Sequence, residues 1–412
     1  MENIQFGLKE NWKQFSLLVI INAFVGGMIG LERSVFPQLA EQEFGISSKT
    51  AIFSFIIAFG ITKAICNYFT GKLANKIGRK NLLVIGWIFA LPVPFILIYS
   101  NSWNWIIFAN ILLGINQGLA WSMAVIMKID LVGSRKRGLA VGINEFAGYV
   151  SVGIVAFLTG YIANTYGVRP YPFYLGIAFS IIGLLLSVFL IKDTNLHVNN
   201  ESVKSDTPLL KNVFVKSSFT HKSLSSITQA GLVNNLNDGM IWGLLPLLLF
   251  NKHFSSTNIG ILTAVYPTVW GLSQLFTGRL SDIYSKKMLL FYGMMIQAFA
   301  ITTLIWAESF LHFTIIGVLL GIGTALVYPT FINAISDYTH PSQRAESLGT
   351  FRFWRDLGYA IGALVTGIIA DHFGLNASIL LIGLLTGISA FVILNRVEDV
   401  KKKDIYHRIH PD

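Results

Sequence analysis

The chain has 412 residues, 53% of them hydrophobic and 13% charged, with a mean hydropathy of +0.60; a soluble domain carries about 25% charged residues, so the composition excludes one and points to a membrane protein. The formal net charge of +10 resides in short connections between apolar runs. It is not gathered on one solvated face with interleaved aromatics, which excludes a nucleic-acid partner.

Segment 1–14 is polar and basic. The apolar run after it, 15–39, is longer than the core of a signal peptide and has no small-residue cleavage site, so it reads as a retained membrane helix. Further runs of about twenty residues, enough to cross the hydrocarbon, fall at 50–70, 82–99, 103–128, 139–163 and 173–191, giving six helices within 15–191. Segment 192–225 is rich in Asn, Ser and Lys and reads as a flexible linker. Six more runs, at 226–250, 259–277, 288–306, 310–335, 348–370 and 377–394, make a second group within 226–394, and 395–412 is a short tail. Lys and Arg concentrate in every second connection, in the linker and at both ends, which places both termini and the linker in the cytoplasm by the positive-inside rule. Cys66 is the only cysteine, leaving no intrachain disulfide and no thiolate metal site. There is no phosphate-binding loop and no paired histidine at metal spacing. No cofactor, metal or enzyme activity is expected.

The two groups are copies of one unit. The stretch Gly71-Lys-Leu-Ala-Asn-Lys-Ile-Gly-Arg-Lys80 returns as Gly278-Arg-Leu-Ser-Asp-Ile-Tyr-Ser-Lys-Lys287, 207 positions later. At the same offset Gly114 falls on Gly321, Asp130 on Asp337, Arg137 on Arg344, Gly142 on Gly349, Thr159 on Thr366 and Gly167 on Gly374. A register kept for about a hundred residues without a gap marks an internal duplication, which fixes the architecture before any local reading.

Six plus six spans, with a basic glycine-bracketed loop after the second and the eighth, resemble the major facilitator superfamily of secondary transporters. Gly71, Leu73, Ala74, Lys76, Gly78, Arg79 and Lys80 match that family's signature. Asn75 departs from the usual Asp, which the second copy keeps as Asp282, whereas Ser285 and Lys286 replace the second copy's Gly and Arg. An acid closing helix four and an Arg before helix five, also a family feature, are matched by Asp130 and Arg137 and again by Asp337 and Arg344. The resemblance implies two six-helix bundles that rock about one central site, carrying a small-molecule solute across the bilayer, as a monomer and with protons as the coupling ion. Drug exporters of the family often carry an Arg in helix four, where this chain has Asn110, and a proline-containing motif in helix five, where 148–153 has no proline.

Charges within spans are costly and so are functional candidates. Glu32 and Asp238, each on the first helix of its half, are the expected proton-coupling carboxylates. Asn22, Arg33, Asn116, Gln117, Trp121, Asn234, Asn235, Trp242, Thr324 and Tyr328 are expected around the solute. Arg79 and Lys80 should reach Asp130 at the end of a neighbouring helix. A latch of Gly71, Asn75, Gly78, Asp130, Arg137, Gly278, Asp282, Asp337 and Arg344 is expected to close the cytoplasmic side, with Asn75 accepting a hydrogen bond at the start of helix eleven. Glu145 and Arg352, also 207 apart, join Arg355 and Asp356 in that latch, and Lys63 is free to snorkel towards the cytoplasm. The expected activity is proton-coupled export of a small organic solute. Uptake or exchange of an anionic metabolite is the main alternative, and a non-transporting membrane receptor the alternative of another class.

Overall fold

The structure is a computed structural model describing residues 4–33, 35, 36, 39, 43–45, 49–134, 136–203, 205, 207–254 and 256–398. No strand occurs among them. Twelve long helices form the body: α1 (Trp12–Arg33), α2 (Lys49–Ile77), α3 (Arg79–Tyr99), α4 (Trp103–Val132), α5 (Arg137–Tyr166), α6 (Tyr171–Phe189), α7 (Lys222–Asn251), α8 (Ser256–Ile283), α9 (Lys286–Trp306), α10 (Phe310–Tyr338), α11 (Arg344–Phe373) and α12 (Leu375–Arg396). Eight of them, α1, α3–α6, α9, α10 and α12, are by themselves long and apolar enough to cross a membrane.

Helices α1–α6 pack as one bundle and α7–α12 as another, with α1 against α5 and, in the equivalent place, α7 against α11. Small residues set these spacings, because helices in lipid gain contact mainly by close approach. A methyl group at Gly26 would stand 2.2 Å from the carbonyl oxygen of Gly148, and one at Gly358 2.3 Å from that of Leu232. Among the described residues, α3 and α4 depart from regularity away from their ends. α3 is jointed at Pro92, whose missing N–H interrupts the hydrogen-bond ladder. α4 makes a π turn over Gln117–Trp121, and the extra residue in that turn shifts the side chains that follow.

Two expectations are corrected here. The stretch 71–80 is not a loop: α2 runs on to Ile77 and α3 begins at Arg79, with only Gly78 between them. Gly78 has φ +92°, a conformation open to glycine and strained for other residues. Nor is the linker wholly flexible. It contains a nine-residue helix, Asn195–Val203, and α7 already starts at Lys222. Composition failed here because the linker helix draws its stability from partners on the bundles.

Candidate functional site

The bundles meet along two equivalent seams, α2 with α11 and α8 with α5, near the end that carries the repeated basic motifs, called here the basic end. A Cβ on Gly71 would lie 2.5 Å from the Ala345 carbonyl oxygen and 3.0 Å from Gly349 Cα. One on Gly278 would lie 2.5 Å from the Gly138 carbonyl oxygen and 2.9 Å from Gly142 Cα. The duplication thus places the same pair of glycines at both crossings, once in each order.

Buried charges flank these crossings. Arg79 Nε lies 2.7 Å from Asp130 Oδ2, and Arg344, from the other bundle, lies 3.4 Å from Asp130 Oδ1. In the second copy Asp337 receives Lys286 at 2.5 Å and Arg137, again from the opposite bundle, at 3.3 Å. Glu201 of the linker helix joins the two sets. It accepts from Arg344 Nη2 at 2.9 Å and Nη1 at 3.1 Å, and also from Arg137 Nη2. Burial works against its charge, but the Arg344 and Arg137 guanidiniums prevail and hold its carboxyl below the ordinary range. Sequence reasoning missed Glu201 altogether.

The repeated motif is used differently in its two copies. Asp282 accepts from the backbone N–H of Gly138 at 2.8 Å and of Leu139 at 3.0 Å, so a carboxylate sits on the positive end of α5. Asn75 was expected to accept at the start of α11. Instead its amide donates to the Ser342 carbonyl, while its oxygen accepts from Arg79 Nη2 at 3.2 Å. An amide can supply either atom, and the nearby guanidinium claims the oxygen. Lys80 reaches Asp193 through its backbone N–H at 2.9 Å, not through a bond from its ammonium to Asp130.

Deeper in, between the bundles, a small cavity is lined by Lys63, Asn67, Trp121, Tyr149, Tyr328, Arg352, Arg355 and Asp356. As it stands it has room for about one water. Three of its edges cross from bundle to bundle. Asn67 Nδ2 donates to Asp356 Oδ2 at 2.6 Å, Arg352 Nη1 donates to Ser122 Oγ at 2.5 Å, and the rings of Tyr149 and Trp270 stand 4.2 Å apart. Arg355 bonds Asp356 at 3.0 Å and lies 4.2 Å above the Tyr328 ring. Trp121, placed by the π turn, donates to Glu145 Oε1 at 3.0 Å.

The expected residues therefore divide. Trp121, Tyr328, Arg352, Arg355 and Asp356 come together around the cavity. Lys63 faces it too, 5.8 Å from the Trp121 ring, and does not snorkel away. Glu145 stays within its own bundle, bonded to Trp121 and Asn144, and does not span the seam. Asn22, Asn116 and Gln117 donate to the carbonyls of Asn144, Gly86 and Val25 and so tie helices of the first bundle together. Trp242 is exposed. Glu32 is buried at the far end of α1, and the Arg33 side chain lies outside the described residues. Asn234 and Asn235 are buried on α7. Near them, Asp238 is only 4% exposed and accepts from the Tyr266 hydroxyl, whose oxygen lies 3.3 Å from Thr324 Oγ1. Tyr266 stacks on Trp270 at 5.9 Å, which connects Asp238 to the cavity's aromatic wall. The helical spacing from Lys63 to Asn67 and from Glu145 to Tyr149 was the signal that would have found the missed lining residues.

Two homologous helix bundles with a small polar site between them define a solute carrier of the membrane, with an architecture suited to alternating access. The Major Facilitator Superfamily profile matches residues 16–230 and 227–408, and the chain belongs to that family. Members are transporters of small molecules, not enzymes, which sets the receptor alternative aside. The chain is 23% identical over 381 residues to the multidrug resistance protein MdtG of Escherichia coli (strain SMS-3-5 / SECEC), covering 89% of this chain and 90% of that protein. It is 23% identical over 394 residues to the multi-drug resistance efflux pump PmrA homolog of Lactococcus lactis subsp. lactis (strain IL1403), covering 93% and 94%. The fold is similar to the crystal structure of the human organic anion transporter MFSD10 (TETRAN), with a TM-score of 0.77 at 16% identity, covering 93% of this chain and 99% of that one.

Proposed function

We propose that this transporter exports a small organic solute in exchange for protons. The two bundles tilt about the central cavity while the basic end, on the cytoplasmic side, opens and closes. The observation that carries the proton step is Asp238, a carboxylate buried on α7 with no ion pair among the described residues and held by the Tyr266 hydroxyl. An ionised carboxylate buried without a direct ion pair is costly, so its proton is taken up or released as the crevice opens to water. Tyr266 and Trp270 lead from it to the cavity, which gives protonation a route to the solute site. The name of one sequence relative, a multi-drug resistance efflux pump, supports the outward direction.

The test uses the full chain in vesicles. Uptake of a panel of drugs and metabolites is driven by an imposed pH gradient, and solute exchange is measured without one. Asp238→Asn is expected to abolish the pH-driven component and leave exchange running. Undiminished pH-driven flux in this variant refutes the proton step.

A further inference from the structure

The cavity holds more positive charge than its own acids answer. Of its lining groups Lys63, Arg352 and Arg355 are cationic and only Asp356 is anionic. Asp356 is already engaged by Asn67 and Arg355. Glu145 stands behind Trp121, which donates to it, and does not line the cavity.

The cations also have hydrogen-bond capacity to spare. Arg352 and Arg355 are 4% and 5% exposed, yet Arg352 Nη2 and Arg355 Nε have no acceptor. The Lys63 ammonium faces the rings of Phe59 and Trp121 at 5.7 and 5.8 Å, with no oxygen partner among the described residues. Buried donors without acceptors are costly to keep; here two of them, on α11, belong to residues that line the cavity together with the half-buried Lys63 of the other bundle. Flat rings complete the lining, Trp121 and Tyr149 from one bundle and Tyr328 from the other.

Resting on the transport reading above, we infer that the solute is an organic anion with a flat apolar body. Its carboxylate, sulfonate or phosphate head is taken by Lys63, Arg352 and Arg355, and its body lies against Trp121, Tyr149 and Tyr328 in a form whose bundles have parted, since the cavity as it stands holds about one water. The head displaces the Arg355 guanidinium from its seat on Tyr328 and supplies the missing acceptors, for which guanidinium is well shaped. Because Lys63 belongs to α2 and both arginines to α11, one anion pulls on both bundles at once. A cationic solute of the same shape would meet three like charges.

Binding is measured on the purified full chain in detergent, by calorimetric titration and by thermal unfolding. Three probes share one ring system: naphthalene-2-sulfonate, 2-naphthylmethylammonium and neutral 2-naphthol. The sulfonate is expected to raise the unfolding midpoint and to bind at least about tenfold more tightly than either of the others. Lys63→Gln and Arg355→Gln should each weaken it by about tenfold, while Lys63→Arg retains it. Lys63 is half-buried and its ammonium has no hydrogen-bond partner among the described residues, so its two variants decide the matter even if Arg355→Gln does not fold. Equal binding of the three probes, preference for the ammonium, or a Lys63→Gln protein that binds the sulfonate as well as its parent overturns the inference. Sulfonate that binds by this pattern but is not moved in vesicles upholds the inference and counts against the transport reading alone.

Discussion

Glu201 is the linker acid that pairs with an arginine from each bundle at the basic end, and replacing it with Gln should loosen that end. Its carboxylate accepts two N–H groups of Arg344, at 2.9 and 3.1 Å, and one of Arg137. A hydrogen bond to a charged group contributes about 1.5–3 kcal/mol. Solvent reaches the side chain, which is 17% exposed, and screens part of this. Gln keeps one accepting oxygen but turns an amide N–H2 towards a guanidinium. Arg344 and Arg137 also keep Asp130 and Asp337. The net loss to the closed form is then about 2–4 kcal/mol, which moves the closed-to-open ratio by about 30- to 1,000-fold. Spin labels on Lys76→Cys and Arg279→Cys, two exposed positions in opposite bundles, with Cys66→Ala to remove the native thiol, report the separation by pulsed dipolar spectroscopy. Glu201→Gln should shift that distribution to longer distances. A distribution that does not change refutes the reasoning.

Three further outcomes follow from the same geometry. A carboxyl held below its ordinary range contributes fully above that range and is lost only as pH falls through the lowered value; the difference between Glu201→Gln and its parent should therefore be the same at pH 7.5 and pH 5.5, as read by the same labels. Gly278→Val should also lengthen the label distance, since even its Cβ would stand 2.5 Å from the Gly138 carbonyl oxygen and overpacking costs about 1–3 kcal/mol; a short distance retained in this variant would remove the glycine crossing from the closing mechanism. Gly78→Ala should lower the thermal unfolding midpoint, because φ +92° with ψ 149° costs a residue with a side chain about 1–3 kcal/mol; an unchanged midpoint would show that the α2–α3 joint adopts another conformation.

The two-bundle plan could be read from the sequence because both of its signals are long: apolar runs of membrane length and a register of 207 kept over a hundred residues. The cavity could be read only in part. Helical spacing puts Lys63 with Asn67 and Glu145 with Tyr149, but which face of α2 turns inward is decided by α11, and the bond that pins it, Asn67 to Asp356, joins residues 289 positions apart. Asn22, Asn116 and Gln117 illustrate the opposite error, since an amide in a span serves a neighbouring helix's carbonyl as readily as a solute. The linker helix lies beyond local reasoning, because its polar composition is that of a disordered segment and its order comes from guanidiniums on two other helices.

The difference between Asn75 and Asp282 bears on how the mouth parts. At the motif positions, separating α8 from α5 strips a full negative charge from two peptide N–H groups, whereas separating α2 from α11 gives up a neutral amide-to-carbonyl bond, the Asn67–Asp356 bond lying deeper. Water should therefore enter at the rim of the α2–α11 edge first, and the aperture widens as a wedge whose narrow side is the acid-bearing copy of the motif.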